Sequence, residues 1–170
     1  MAVKIFVNLP VKHLERSMKF FAELGFEFDP RFTDKTAACM IVSDDIFVML
    51  LTEEKFKTFT PKEICNAGKC TEVLVCLTCE GREEVDETVR KAVAAGGRTY
   101  SEPKDYGFMY QHGFEDSDGH IWELIFMEPE ASNQGYKRTV RSLPRRWGEF
   151  VIAPRAGRMT ATRTQRGGPI

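Results

Sequence analysis

Residues Gly113 to Met127, GFEDSDGHIWELIFM, consist of a polar turn followed by a β-rich run. The turn closes with Asp118-Gly119, a dipeptide typical of tight turns, and aromatic, β-branched and aliphatic residues follow it as in a buried strand. Glu123 interrupts this apolar run, where a carboxylate must either line a cavity or be buried at a cost in free energy. Glu123 is therefore the first candidate for a functional residue.

The order of elements that leads up to this stretch occurs twice along the chain. The first copy has a strand that ends at Pro10, a helix ended by Gly25, and three strands at residues 26–32, 37–42 and 46–51. The second copy has a strand at residues 72–78, a helix at 83–95, and three strands at 98–102, 108–114 and 120–127. This repeat predicts an α+β fold of two βαβββ modules, at about residues 3–51 and 70–127.

Two motifs give the chain a resemblance to a known superfamily. The pattern F-x-D-P-D-G-[NH]-x-[IW]-E-L is matched by Phe114, Asp116, Asp118, Gly119, His120, Trp122, Glu123 and Leu124, with Ser117 in the place of proline. The helix pattern D-L-E-R-S, ending in L-G-F, is matched by Leu14 to Ser17 and Leu24 to Phe26, with His13 in the place of aspartate. Over residues 3–127 the chain thus resembles the vicinal-oxygen-chelate superfamily of glyoxalase I, bleomycin- and fosfomycin-resistance proteins and extradiol dioxygenases.

The resemblance implies an architecture and a set of metal-ligand positions. It implies curved mixed sheets around a cavity, with the helices on the outside, in one glyoxalase/bleomycin-resistance-like domain over residues 1–130. The family's metal ligands come from the first and fourth strand of each module and face inward. Carried over to this chain, these positions fall on Phe6, Val48, Glu72 and Glu123.

Two of these four positions are apolar, which makes the usual metal site incomplete. A tightly held transition metal needs about three or four protein ligands, typically with imidazole among them. We therefore expect no cofactor. Any divalent metal would be held weakly, by Glu72 and Glu123 and a mostly hydrated shell.

The resemblance and strand alternation together give a candidate site. Glu72 and Glu123 are the tentative catalytic residues, and we expect them to converge in the cavity and share a proton. His120 is predicted to point away from the cavity. The predicted ligand-binding residues are Phe6, Asn8, Val48, Leu50, Leu74, His112 and Ile125.

The function that follows is binding of a small molecule in the cavity between the modules, as in a bleomycin-resistance protein. Glu72 or Glu123 could still act there as a metal-free general base. The alternative is a metal-dependent glyoxalase-type lyase, isomerase or dioxygenase. The resemblance also implies a homodimer.

Composition limits the remaining possibilities. The chain has 170 residues, 42% of them hydrophobic, which is enough for a buried core, and no apolar run long enough for a membrane span. Five cysteines, an odd number, favour free thiols and a cytoplasmic location.

Residues 131–170 contain nine basic residues and one acid, and we expect a poorly packed basic extension there. The positive charge of this extension is the one feature that favours nucleic-acid binding, so we do not expect such binding.

Overall fold

The computed structural model describes residues 3–128, which form two modules with the same succession of elements. The first module contains β1 (Ile5–Val11), α1 (Leu14–Glu23), β2 (Glu27–Asp29), β3 (Ala37–Ile41) and β4 (Ile46–Thr52). A short helix, α2 (Glu53–Lys57), begins the connecting segment. The second module contains β5 (Leu74–Thr78), α3 (Arg82–Ala94), β6 (Lys104–Asp105), β7 (Met109–Glu115) and β8 (Ile121–Met127). The predicted basic extension at 131–170 lies outside the described residues.

Each module forms its own four-stranded mixed sheet, and the two sheets have the same topology. The strand orders are β1-β4-β3-β2 and β5-β8-β7-β6. The first strand of each module runs parallel to the fourth, and the other neighbours are antiparallel. The predicted α+β fold of two βαβββ modules is thereby confirmed.

The ends of the two long helices follow from the sequence. α1 and α3 are followed by Gly25 and Gly96, which both adopt φ of 101°. Only glycine adopts this left-handed conformation at little cost, so each glycine ends its helix and redirects the chain towards the sheet.

Two predicted strands are shorter or displaced in the structure, and a proline explains each difference. The strand predicted at 26–32 ends at Asp29, because Pro30 opens a 3-10 turn. The strand predicted at 98–102 is reduced to an isolated bridge between Arg98 and Glu115, and regular pairing resumes only at Lys104. Pro103 has no N–H group to donate to a strand partner, which limits pairing before it.

The helix-facing sides of the two sheets share one hydrophobic core. Phe21 of α1 lies 4.9 Å from the ring of Trp122 on β8, and Phe20 lies 6.0 Å from the ring of Phe114 on β7. Phe21 and Trp122 are fully buried. Because both helix-facing sides meet in this core, the opposite side of each sheet is directed away from it.

The cysteines and helices bear on the predicted cellular location. All five cysteines are free. Among residues 3–128, no helix is long and apolar enough to cross a membrane. The cytoplasmic location stays a prediction.

Candidate functional site

Alternation along the strands gives each sheet a buried side and an open face. Val48, Leu50, Trp122 and Leu124 are buried against the helices, so the residues between them point to the other side. We call this other side the open face. It carries Phe6, Asn8, Phe47 and Met49 in the first module and Leu74, Cys76, Gln111, Gly113, Glu123 and Ile125 in the second.

The open face of the first module carries a pair of stacked phenylalanine rings. Phe6 and Phe47 are register partners, and their rings are stacked with centroids 4.9 Å apart. Half of Phe6, 49%, is exposed. The Nζ atom of Lys4 lies 5.0 Å from the centre of the Phe47 ring, which adds a cation–π contact at the edge of this surface. These exposed rings can pack against the apolar part of a small molecule.

The open face of the second module centres on Glu123. Its register partners are Cys76 on β5 and Gly113 on β7. The Nε2 atom of Gln111 donates a hydrogen bond of 2.6 Å to Glu123 Oε1. Glu123 is thus a half-buried carboxylate in the middle of the sheet, held in one orientation by a neutral donor.

Tyr100 lies over the sheet beside this carboxylate. A Cβ atom added to Gly113 would lie only 2.3 Å from Tyr100 Oη and 2.9 Å from Tyr100 Cζ. The phenol ring therefore occupies the space that a side chain at position 113 would fill. The segment that carries Tyr100 is anchored by the backbone bridge between Arg98 and Glu115, with N···O distances of 3.0 and 2.7 Å.

Burial and the nearby negative charge keep the neighbours of Glu123 neutral. Burial raises the pKa of the Tyr100 phenol, and the charge of Glu123 raises it further. Burial is also the main reason why the pKa of the Cys76 thiol is raised, and the charge of Glu123 raises it further. At neutral pH both groups carry their protons, so Tyr100 is a hydrogen-bond donor beside a carboxylate.

A small cavity of about 60 Å³ opens at this cluster. Its wall is formed by Tyr100, Ser101, Glu102, Lys104, Gln111, His112 and Glu123, which all belong to the second module. Lys104 and Glu102 carry opposite charges. The wall is polar throughout, and Glu123 and Tyr100 are the two members that lie together over Gly113.

The structure places five predicted site residues on the open faces. They are Phe6, Asn8, Leu74, Ile125 and Glu123. Phe6 and Leu74 are about half exposed, at 49% and 52%. Their functional roles stay predictions.

Val48 and Leu50 do not line the open face, contrary to the prediction. They are 1% and 0% exposed and belong to the core. The turns at 42–46 and 116–120 close the two hairpins with equal length, because Ile41 pairs with Phe47 and Glu115 pairs with Ile121. When these two pairs are superimposed, the residue of the first module that is equivalent to Glu123 is Met49, not Val48. The predicted match was shifted by one residue, which moves every side chain to the other side of the strand.

Glu72 does not join Glu123, so the predicted convergence of the two carboxylates is wrong. The register partner of Glu123 is Cys76, which is four residues further along the chain than Glu72, or about 13 Å in an extended strand. The Glu72 carboxylate instead contacts Nδ1 of His120. By the same register Leu74, rather than Glu72, matches Phe6 of the first module.

His112 lies on the helix-facing side of β7 and still forms part of the wall of the small cavity, so its predicted ligand-binding role stays a prediction. Its register partner is the core residue Leu124. Its ring nitrogen Nδ1 lies 3.7 Å from Asp86 Oδ1 on α3. This nitrogen is buried and has no hydrogen-bond partner within residues 3–128. His112 borders the small cavity, but its ring is directed towards α3.

Sequence reasoning missed four members of the cluster around Glu123, namely Tyr100, Gln111, Gly113 and Cys76. One signal was present: Gly113 is an isolated glycine inside a predicted strand, which often marks the close approach of another group. The segment predicted as a strand at 98–102 is irregular at Tyr100, so strand alternation gives no direction for this side chain. Across residues 3–128, no group of three or more histidine, cysteine or acidic side chains is arranged to hold a metal ion.

A buried polar network ties the second hairpin of the chain to the first module. His120 is 2% exposed, and its two ring nitrogens face Glu72 and, at 2.8 Å, the carbonyl oxygen of Pro10. The Pro10 carbonyl oxygen is an acceptor and so is an ionised Glu72, which favours an imidazolium that donates from both ring nitrogens. Burial lowers the pKa of His120, but the charge of Asp116 and the contacts with Pro10 and Glu72 outweigh it, so the pKa is raised.

Asp118 makes a second set of contacts across the same junction. Its Oδ2 atom accepts from Ser17 Oγ at 2.9 Å, and its Oδ1 atom accepts from the backbone N–H of Lys12 at 3.0 Å. Arg16 also lies 3.3 Å from Oδ1. Asp118 and His120 therefore belong to the joint between the modules rather than to the open faces.

Comparison with known proteins agrees with this architecture. The family model for the Glyoxalase/Bleomycin resistance protein/Dioxygenase superfamily matches residues 5–124. No curated protein sequence matches the chain.

Several solved structures have the same fold. A hypothetical protein, SA1046, from S. aureus is 27% identical, with a TM-score of 0.64 over 74% of this chain and 94% of that chain. A glyoxalase/bleomycin resistance protein/dioxygenase family enzyme from Burkholderia phytofirmans PsJN is 16% identical, with a TM-score of 0.63 over 75% and 100% of the two chains. Protein ATC0852 from Agrobacterium tumefaciens is 21% identical, with a TM-score of 0.58 over 75% and 99%.

The His120 contacts predict a pH-dependent stability. A histidine whose pKa is higher in the folded state than in the unfolded chain stabilises the fold fully below about pH 6.5, and that stabilisation is lost as the pH rises through the folded pKa. The free energy of unfolding, measured by urea denaturation, should therefore fall by up to about 1.4 kcal/mol per pH unit between pH 6.5 and the pKa of His120 in the folded state, and level off above it. His120→Gln should remove this dependence. His13→Gln, at an exposed position, should keep it, and a wild-type protein with equal stability at pH 6 and 8.5 would contradict the assignment.

Proposed function

Because the chain belongs to the Glyoxalase/Bleomycin resistance protein/Dioxygenase superfamily, we propose that it binds a small organic molecule between open faces of its modules. The apolar part of this molecule packs against the stacked rings of Phe6 and Phe47. Its polar part contacts Glu123. Binding in this form needs no chemical step.

The observation that carries the proposal is the contrast between the two open faces. One is aromatic and half exposed, with the Phe6 and Phe47 rings 4.9 Å apart. The other presents the Glu123 carboxylate, oriented by Gln111, among apolar neighbours such as Leu74. An apolar wall with a few oriented polar groups is the usual composition of a small-molecule site.

A second copy of the chain completes the cavity in this proposal. The helix-facing sides of both sheets meet in one core, so the open faces of a single chain are directed away from that core. Phe6, Leu74 and Met127 are exposed on these faces, at 49%, 52% and 37%. Pairing the open face of one module with that of a partner's other module covers these apolar side chains and encloses the ligand.

We also propose that the site works without a tightly bound transition metal. The family's ligand positions on the first and fourth strands correspond, by the observed register, to Phe6 and Met49 in the first module and to Leu74 and Glu123 in the second. Only Glu123 offers an oxygen ligand, and a transition-metal site needs about three or four protein ligands. One carboxylate and water could hold a magnesium or manganese ion only weakly.

The alternative is a metal-dependent glyoxalase-type lyase or dioxygenase. It is favoured by one observation, the presence of Glu123 at a position where the family has a metal ligand, with the Cys76 thiol as its register partner. If the protein is an enzyme without a metal, Glu123 is the group that can act as general base, because Glu72 is engaged by His120.

Replacing Phe6 by alanine should weaken ligand binding. The probes are benzyl alcohol, benzylamine and benzamide, with binding measured by saturation-transfer NMR. Loss of an aromatic stacking partner should raise the dissociation constant about threefold to tenfold. Phe59→Ala removes a 66% exposed aromatic ring from the connecting segment and should leave binding unchanged. Equal affinities in the wild type and Phe6→Ala would contradict the proposed site.

Metal analysis separates the two candidate functions. Protein purified without chelators should contain far less than one nickel, zinc, iron or manganese ion per chain by mass spectrometry, because Glu123 is the lone oxygen ligand of the four positions. Glu123→Gln should have the same metal content as the wild type. Stoichiometric metal that disappears in Glu123→Gln would support the metal-dependent alternative.

The oligomeric state tests the completion of the cavity. Sedimentation velocity at micromolar concentration should give twice the mass of one chain. Phe6→Glu and Leu74→Glu each place a charge in the proposed interface and should shift the equilibrium towards the monomer. Phe32→Glu, at a 59% exposed position in the turn after β2, is the control and should leave the dimer intact. A wild-type monomer, or dimers that tolerate both open-face charges, would contradict this arrangement.

A further inference from the structure

The position of Tyr100 depends on the absence of a side chain at Gly113. Gly113 and Glu123 are register partners on neighbouring strands, so whatever covers Gly113 lies next to the carboxylate. The Tyr100 hydroxyl occupies that place, since a Cβ atom at Gly113 would lie 2.3 Å from Oη. The sheet thus has a gap at Gly113, and the phenol of Tyr100 fills it at the rim of the small cavity.

Tyr100 and Glu123 have complementary hydrogen-bonding roles. Gln111 donates to Oε1 of Glu123, so Oε2 can accept from a ligand. The phenol keeps its proton at neutral pH and can donate to a ligand. A molecule that satisfies both groups has a donor and an acceptor close together, for example on two atoms bonded to the same carbon.

We propose that Tyr100 is a ligand-binding residue that acts with Glu123 to recognise neutral compounds in which a hydrogen-bond donor lies beside an acceptor oxygen, as in a primary carboxamide. This inference rests on the proposed function and adds the chemical class of the ligand. The ligand N–H donates to Glu123, and the ligand oxygen accepts from Tyr100. A carboxylate ligand has no donor for Glu123 and is repelled by its charge.

The size of the cavity fits a polar group of this kind. Its volume of about 60 Å³ is far below the roughly 300 Å³ or more that encloses a whole drug-sized ligand. It can therefore take the carboxamide alone. The apolar remainder of the ligand would extend over the exposed residues of the open face, such as Leu74.

Benzamide and benzoate are matched probes for this proposal, because they have nearly the same shape and differ in the donor and the charge. Titrations of the full-length isotope-labelled protein by NMR should give benzamide a dissociation constant at least tenfold lower than that of benzoate. The largest shifts should occur at the amides of Gly113 and Glu123. Equal affinity for benzoate would overturn the proposal.

Tyr100→Phe tests the hydroxyl without removing the ring over Gly113. Loss of one hydrogen bond should raise the benzamide dissociation constant about threefold to tenfold. Tyr106→Phe removes the hydroxyl of a 49% exposed tyrosine in the turn between β6 and β7 and should change nothing. Gly113→Ala is less suitable, because its methyl group would also meet the Trp122 carbonyl oxygen at 2.6 Å.

The outcomes separate this inference from the proposed function. If Phe6→Ala weakens benzamide binding and Tyr100→Phe does not, the role of Tyr100 is overturned while the small-molecule site stands. If benzamide does not bind but benzyl alcohol or benzylamine does, the carboxamide class is overturned and the site again stands. If none of these probes binds, both proposals fail.

Discussion

The buried imidazole of His120 lies between Glu72 and the Pro10 carbonyl oxygen and holds the two modules together. This imidazole connects the turn before β8 to the end of β1 and to the segment before β5. Asp118 adds contacts with Lys12 and Ser17 at the same junction. Buried polar groups are costly unless they are paired, so this network permits only an arrangement in which all its members find their partners.

That constraint determines which side of each sheet becomes the core. With the second hairpin tied to the first module, Trp122 packs on Phe21 and the two helix-facing sides form one hydrophobic cluster. The open faces are then left with apolar side chains that water contacts unfavourably. A ligand and a second copy of the chain can both cover them, which links binding to assembly in the proposed function.

The sequence was sufficient for the modules and insufficient for the side-chain directions in the fourth strand. The repeat, the helix stops at Gly25 and Gly96 and the turn at 116–120 are local signals, and the structure follows them. The run from Ile46 to Leu51 is apolar on both sides of the strand, so alternation could not distinguish Val48 from Met49. A shift of one residue was enough to move the matched position from the open face to the core. Glu72 and Tyr100 lie outside the regular strands, and only tertiary contacts determine their partners.

In the proposed function the ligand lies on the open face, with Glu123 and Tyr100 on one module and Phe6 on the other. A crystal structure of the protein soaked with a compound that binds in solution would show where that compound lies. We expect electron density for the compound between Glu123 and the ring of Phe6 from a partner copy, with its polar atoms towards Glu123 and Tyr100. Density at the junction near Lys12 and His120 instead, with the open faces empty, would contradict it.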